Sequence, residues 1–491
     1  MTLTLPGFAG LILTIGVAAD ANVVIFERIK EEVRAGKSVR AGISAGYAKG
    51  FHTIIDANVV TAITALVLFL VATAGVKGFA LMLLIGTAIS LVTAVFATRA
   101  MLGLLAGFRW FENPAFMGAK GQQHGRWLQI DFMRRRYLWF AISGVIVLIA
   151  VGSLAVRGLN FGIDFKGGSQ ITFSTPTPRL VDDVRSDAQS IDSKFAKAVI
   201  QGRGASTDGK YRDFQMRTKT LSPSDGQQLS SGLKSKLQAT NYGEKSVSES
   251  FGRQIAKSAL WAVFGSLFLI VLYLAIRFDY KYALPVLAAL VHDIVITVGV
   301  YSVSGREVTT ATVAAVLTVL GYSIYDTIII FDRVRENVPL MRRASFATIA
   351  NVSLWETIRR SLATTFITLL PVASLLIFGG ATLKDFAFAL MVGIASGAYS
   401  SIFIAAPLLT MLKEREPEWK AKIGKTDVEG DSVSAAAVLR EAELAAAAEP
   451  APITEMAPAA EDGTGNGEIS RTQSKRERRR ARRRARPHGR R

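Results

Sequence analysis

Two aspartates, Asp20 and Asp326, stand in apolar runs long enough to cross a lipid bilayer. A charged side chain at that depth costs about 2.5–3.5 kcal/mol on insertion scales, so each acid needs a partner or a task. Both belong to matching passages, Asp20-Ala-Asn-Val-Val-Ile-Phe-Glu-Arg-Ile-Lys-Glu-Glu32 and Tyr325-Asp-Thr-Ile-Ile-Ile-Phe-Asp-Arg-Val-Arg-Glu-Asn337. Each sets an ionisable group among apolar residues, continues with Phe-acid-Arg and ends in a charged exit. The chemistry open to such acids is proton uptake and release. Desolvation favours the neutral carboxyl and a nearby arginine favours the carboxylate. Carboxyls that exchange one arginine would therefore load and unload a proton. Arg360 stands where another apolar run begins, and Asp293, beside His292, lies near the middle of a further one; both join Asp20 and Asp326 as candidates for the proton pathway. With a membrane potential of about 150 mV, each inward charge supplies roughly 3.5 kcal/mol, enough to tilt a two-state rearrangement of a helix bundle. A plainer reading makes the acids packing devices hydrogen-bonded to neighbouring helices. On that reading Asp293 satisfies His292, and Arg360 is a boundary residue that snorkels.

The elements that must hold these groups are membrane helices. Half of the 491 residues are hydrophobic and one in five is charged. Nine spans are expected at 7–26, 55–75, 79–102, 137–156, 257–276, 283–303, 309–331, 361–379 and 385–412. Basic residues crowd alternate connections: Arg28 to Lys49, Arg109 to Arg136, Arg277 with Lys281, and Arg333 to Arg360. The intervening connections are short and nearly uncharged. The positive-inside rule then puts the basic loops and the C-terminus in the cytoplasm, the N-terminus outside, and predicts no cleaved signal peptide.

The front spans repeat at the back. Phe26 aligns with Phe331, Thr53 with Thr357, Lys77-Gly-Phe-Ala80 with Lys384-Asp-Phe-Ala387, and Gly86 with Gly393. The copies keep one direction, as parallel repeats with a site between the halves do. The rows Gly86/Ser90 and Gly393/Gly397 read as places of close helix approach. The first copy lacks counterparts to three helices of the second, so the chain is expected to be a fragment or to be completed by another polypeptide. Residues 158–255 read as a small α+β domain on the outer face, with strands at 169–173 and 211–218 and helices at 179–200 and 223–239. The expected division is 1–107 (three helices), 108–136 (linker), 137–157 (one helix), 158–255 (domain), 256–415 (five helices) and 416–491 (disordered tail). Twelve Lys/Arg against one Glu in 471–491 suit adhesion to anionic lipid, with the ribosome as the alternative. The fold class is a polytopic α-helical membrane protein with a parallel repeat and a small α+β domain.

The sequence argues against several chemistries. No cysteine is present, which removes disulfides, thiolate metal sites and cysteine nucleophiles, and four scattered histidines argue against zinc. Gly167-Gly168 lacks a Lys-Ser/Thr ending and precedes a strand, unlike a phosphate loop. No catalytic residue, metal or cofactor is expected.

These motifs resemble the SecD and SecF protein-export membrane proteins of the RND superfamily. Residues 1–107 look like the last third of SecD through Val17-Ala-Ala-Asp-Ala-Asn-Val-Val-Ile-Phe-Glu-Arg28. Residues 133–415 look like a whole SecF through Gly162-Ile-Asp-Phe-Lys-Gly-Gly168, Ala289-Leu-Val-His-Asp293, Gly321-Tyr-Ser-Ile-Tyr-Asp-Thr327, Phe331-Asp-Arg-Val-Arg-Glu336 and Gly397-Ala-Tyr-Ser-Ser-Ile-Phe-Ile-Ala405. The resemblance implies a non-enzymatic subunit of the Sec translocase in the bacterial cytoplasmic membrane. It would use the proton-motive force to promote late, ATP-independent stages of protein export. It also implies a proton pathway through Asp20, Asp326 and Arg360, and partners in the SecYEG channel, SecA, a YajC-like subunit, exported unfolded polypeptides and a separate SecD-like chain. The family more usually has Asn where this chain has Tyr325. Proton-coupled efflux of small or lipidic molecules, and a non-pumping translocon scaffold, are the alternatives.

Overall fold

Serine and threonine side chains decide where several helices begin. The computed structural model describes residues 5–426 apart from 73, 114–115, 117, 120–129, 205 and 278. Helix α1 covers Leu5–Arg34 and α2 covers Val39–Val71, with Ser38 accepting the Ala41 amide as N-cap. Helix α3 (Ala74–Val92) passes through a π-helical turn at Thr93–Ala97 into α4 (Thr98–Leu105). Helix α5 is Arg136–Arg157. Strand β1 (Asn160–Phe161), the short α6 (Ile163–Lys166), β2 (Gly168–Leu180), α7 (Val181–Ile191), β3 (Val199–Arg203), β4 (Lys210–Thr218), α8 (Pro223–Leu237) and β5 (Thr240–Val247) follow. The bundle resumes with α9 (Glu249–Arg277), α10 (Tyr280–Ser304), β6 (Glu307–Val308) and α11 (Thr310–Asn337). Thr309 and Thr312 cap α11 reciprocally. Helix α12 is Phe346–Phe378, with Ser345 accepting the Thr348 amide. Helix α13 (Ala381–Ser400) passes through a second π-helical turn at Ser401–Ala405 into α14 (Ala406–Glu414), and α15 is Pro417–Thr426.

Among the described residues nine helices are long and apolar enough to cross a membrane. Several run well past the expected spans. Helix α2 starts at Val39 rather than 55, and α12 at Phe346 rather than 361. Both helices run unbroken from serine caps through first turns whose polar and charged residues hydropathy does not register, so they extend beyond the expected spans. The segments read as basic loops at 27–53 and 332–360 are thus largely helical. Residues 130–133, expected in a linker, are docked: Asn351 Oδ1 accepts the amides of Phe132 and Met133, and the Trp355 indole donates to the Ile130 carbonyl. The tail begins as helix α15, with Trp419 edge-on to Phe346 at 5.2 Å between centroids. Residues 427–491, which include the Arg-rich segment, lie outside the described residues.

The repeat is visible in the packing. Helix α1 packs on α2, α3 and α12, while α11 packs on α12, α13 and α2. Close approach depends on absent side chains. A Cβ on Gly86 would stand 1.9 Å from Thr14 Cγ2, and one on Gly393 would stand 2.2 Å from Val319 Cγ2. Peripheral α5 and α9 present Leu148, Val156, Phe264, Phe268 and Ile276 outward, as hydrocarbon-facing helices do.

The α+β domain has a four-stranded antiparallel sheet in the order β3-β4-β2-β5. Alternation points Ile171, Phe173, Phe214 and Met216 at α7 and α8, where Val184, Leu229 and Leu233 complete the core. Two strands of this sheet have no counterpart among the expected ones. Strand β3 occupies the end of the stretch read as helix, and β5 is an edge strand of mostly polar residues without alternation.

Candidate functional site

Helix α1 builds one wall of the site. Ala9, Leu13, Val17, Ala21 and Val24 form its buried stripe, and Asp20 lies in that stripe with 9% of its surface exposed. Helix α11 is buried over most of its length and brings Asp326 and Tyr325 to the same place. Helix α12 adds Thr364, Thr365 and Thr368, and Tyr322, Ile394 and Ala398 close the cleft. About 20 Å³ of free space remains, room for one water molecule. Asp326 Oδ1 accepts a 3.0 Å hydrogen bond from Ser361. Asp20 Oδ1, the Tyr325 hydroxyl and Arg360 Nε are buried with no well-aligned hydrogen bond, although Tyr325 and Thr364 lie near enough to Asp20 to offer one. Leaving a buried polar atom unmet costs about 1–3 kcal/mol, so three within one layer mark a place where something other than stability is served.

The sequence candidates separate. Asp20 and Asp326 line one cleft, and Arg360 is near enough for its charge to bear on both. Arg360 lies fourteen positions into α12, and its side chain is buried rather than extended to solvent. Asp293 does not line the cleft. It is fully buried and accepts hydrogen bonds from Ser323 (2.5 Å), Ser396 (2.7 Å) and Ser400 (2.8 Å), and it contacts His292 Nδ1 at 3.1 Å. His292 Nε2 in turn meets Ser143 at 2.6 Å. One carboxylate thus ties α10 to α11 and α13, and its neighbour ties α10 to α5. Asn22, two residues from Asp20, is also structural: it donates to the Ala18 carbonyl and accepts from Thr98 on α4.

Two groups escaped the sequence reading. The hydroxyls around the acids look unremarkable as isolated Ser and Thr in apolar runs. Asp56 falls near the start of the expected 55–75 span. It lies well inside α2, where Arg277 Nε meets both of its oxygens at 2.9 and 2.8 Å and Tyr273 donates at 2.9 Å. The repeat places Asp56 opposite Arg360, so one station holds opposite charges in the two copies. Arg28, Glu31, Arg333 and Glu336 form a ring across the seam of α1 and α11. Its contacts are Arg28–Glu336 at 2.8 Å, Arg333–Glu31 at 3.5 Å, and Arg28–Glu31 and Arg333–Glu336 at 3.0 Å. No group of three metal-ligating side chains occurs among the described residues.

Comparison with known proteins places this architecture. A family model described as protein export membrane protein SecD/SecF, C-terminal, matches residues 1–107 and 228–415. The SecD/SecF GG motif matches 152–175. Protein translocase subunit SecDF of Bacillus subtilis is 36% identical over 431 residues, covering 84% of this chain and 58% of that protein. Protein translocase subunit SecF of Streptomyces coelicolor is 41% identical over 301 residues, covering 59% of this chain and 79% of that protein. The crystal structure of SecDF from Thermus thermophilus, a translocon-associated membrane protein, superposes with a TM-score of 0.76 at 36% identity. That match covers 84% of this chain and 56% of that one. The chain therefore spans little more than half the length of the SecDF relatives it matches. With its repeated helices, its paired acids and its glycine-rich segment leading into a small sheet, the chain belongs to the SecD/SecF family of protein-export membrane proteins.

Proposed function

We propose that this chain is a non-enzymatic part of the Sec translocase that spends the proton-motive force on late, ATP-independent stages of protein export. The observation that carries the reading is Asp20, whose buried carboxyl faces the cleft shared with Asp326 at the seam of two repeated helix sets. Taking up a proton removes a buried charge and turns an acceptor into a donor. Tyr325 and Thr364 stand in the same cleft to receive it. Arg360 then has one acid to compensate instead of two, which changes the balance of forces between α1, α11 and α12. On this reading Asp20, Asp326 and Arg360 form the proton pathway, and Asp293 is a fixed clamp beside it.

The proposed setting is a bacterial cytoplasmic membrane, with the ion-pair ring and the C-terminus on the cytoplasmic side and the α+β domain outside. Partners would be the SecYEG channel, SecA, a YajC-like subunit and the unfolded polypeptide being exported. The Arg-rich tail would hold anionic lipid or the ribosome.

The test is Asp20→Asn in inverted membrane vesicles carrying the translocase, with export followed with and without a proton gradient. The expected result is loss of the gradient's stimulation with gradient-free export unchanged. Undiminished stimulation would leave a scaffold instead. Transport of dyes or drugs by the wild-type chain would favour efflux.

A further inference from the structure

The outer face of the α+β sheet carries polar residues that are nonetheless buried. Alternation sends Phe214 and Met216 into the domain core and Gln215 and Arg217 to the opposite face, where solvent would be the ordinary neighbour. Both are covered. Gln215 donates to Glu307 Oε2 at 2.6 Å. Arg217 lies 3.7 Å from Glu307 Oε1 and donates to the Phe161 carbonyl and to Asn160 Oδ1. Glu307 belongs to β6, which pairs with β1 and directly precedes α11.

A second contact runs beside the first. Lys245 on β5 is opposite Gln170, and Gln170 is opposite Arg217, so both cations stand in one row two strands apart, about 10 Å. Lys245 donates to Asp164 Oδ1 at 2.7 Å. The other oxygen of Asp164 accepts from the Thr310 amide at 3.2 Å and its hydroxyl at 3.0 Å. Thr310 is the first residue of α11. The domain therefore stands on two charged contacts, and both reach the four residues that open the helix carrying Asp326, about 24 Å further along.

Glycines make the joint tight. A Cβ on Gly162 would meet Glu307 Oε1 at 2.2 Å. One on Gly168, whose φ is +118°, would meet the Thr218 carbonyl at 2.4 Å. The Gly162–Gly168 segment thus lies pressed between the sheet, α9 and the start of α11.

We infer that Asp164 and Glu307 are positioning residues that couple α11 to the α+β domain, delivering displacement of the helix that bears Asp326 to the domain's sheet. This rests on the proton-driven reading above, to which it adds the route by which the membrane site moves the domain. The Gly-Gly segment is the bearing surface of that route, and α9, which packs on it where Gly167 meets Glu249 and Gly252 meets Phe165, is its fixed side.

The absence of cysteine allows spin labels on the full chain in lipid nanodiscs, introduced by Ser231→Cys on α8 and Val156→Cys at the end of α5. Distances between them are compared with and without Asp326→Asn, which imitates a protonated acid. The infrared carboxyl band that disappears in Asp326→Asn reports protonation separately. The expected result is a label displacement of several ångströms, reduced at least threefold by Asp164→Asn combined with Glu307→Gln while the carboxyl band still titrates. Thr310→Val should give an intermediate loss, and Lys245→Arg should preserve the displacement. Thermal unfolding of each variant checks folding; a merely structural role would lower the midpoint without shrinking the displacement. A full-sized displacement in the folded Asp164→Asn/Glu307→Gln variant, or no displacement despite a titrating band, overturns the inference. A carboxyl band that never responds to pH in the wild type defeats the proton-driven reading itself.

Discussion

Arg28 and Glu336 bind the two copies of the repeat to each other: the two terminal guanidinium nitrogens meet the two carboxylate oxygens at 2.9 and 2.8 Å. Arg333 and Glu31, at the matching stations, make the reciprocal contact. Arg28 is 5% exposed, so the pair is poorly screened on one side, while Glu336 is 35% exposed and retains some water. Removing one partner of a buried pair costs about 3–5 kcal/mol, and the exposure of Glu336 reduces this to about 2–3 kcal/mol. Arg28→Ala should lower the thermal midpoint of the purified chain accordingly. Adding Glu336→Ala to Arg28→Ala should cost less than the two single losses combined, because the two residues share one contact.

Asp293 offers a contrast with Asp20, because its oxygens are met by three serines and a histidine. Asp293→Ala leaves those donors bare and should destabilise the chain by about 3 kcal/mol. Asp293→Asn keeps the shape and should cost less. If the clamp reading is correct, gradient-driven export by Asp293→Asn falls only in proportion to the amount of folded protein, measured by vesicle assay and quantitative blotting.

Gly393 tests the packing of the second copy. An alanine Cβ there would clash with Val319, and overpacking of this kind costs about 1–3 kcal/mol. Gly393→Ala should lower the unfolding midpoint, and adding Val319→Ala should restore most of it by vacating the space.

Asp164 supplies a pH test outside the membrane spans. Burial works against its charge, but the Lys245 ammonium and the Thr310 amide and hydroxyl prevail and hold its carboxyl below the usual carboxylate range. A lowered folded value means the contact contributes fully above the ordinary value of about 3.9 and is lost as pH falls through the lowered one. Hydrogen exchange at the Thr310 amide should therefore accelerate, beyond the intrinsic pH effect, only below about pH 4. Asp164→Asn should show no such acid step.

Much of this arrangement was legible in the sequence, for identifiable reasons. An acid inside an apolar run is conspicuous, which is why Asp20 and Asp326 stood out and do share a cleft. The repeat was readable because Phe-acid-Arg recurs, and the glycine rows do mark close helix contacts. The burial of Arg360 was not legible, because hydropathy registers only where apolar residues begin, whereas helix α12 begins at its serine cap and carries Arg360 in its interior. Asp293 could not be separated from the other acids by type or depth; only the positions of Ser323, Ser396 and Ser400, brought from two other helices, distinguish it. The footing of the domain on Glu307 and Asp164 was invisible because its partners are 80 to 150 residues apart.

The paired π-helical turns bear on ancestry. Thr93–Ala97 and Ser401–Ala405 each insert one surplus residue into the third helix of its copy, close to matching positions. In the first, the Ala94 carbonyl takes the Tyr47 hydroxyl; in the second, the Ser401 hydroxyl meets Thr327 and the Ser323 carbonyl. Such turns are rare and costly to a helix. Two separate acquisitions at corresponding places are the less economical history. A turn present before the helices were duplicated is the shorter history, and the differing hydrogen bonds are what each copy has built around it.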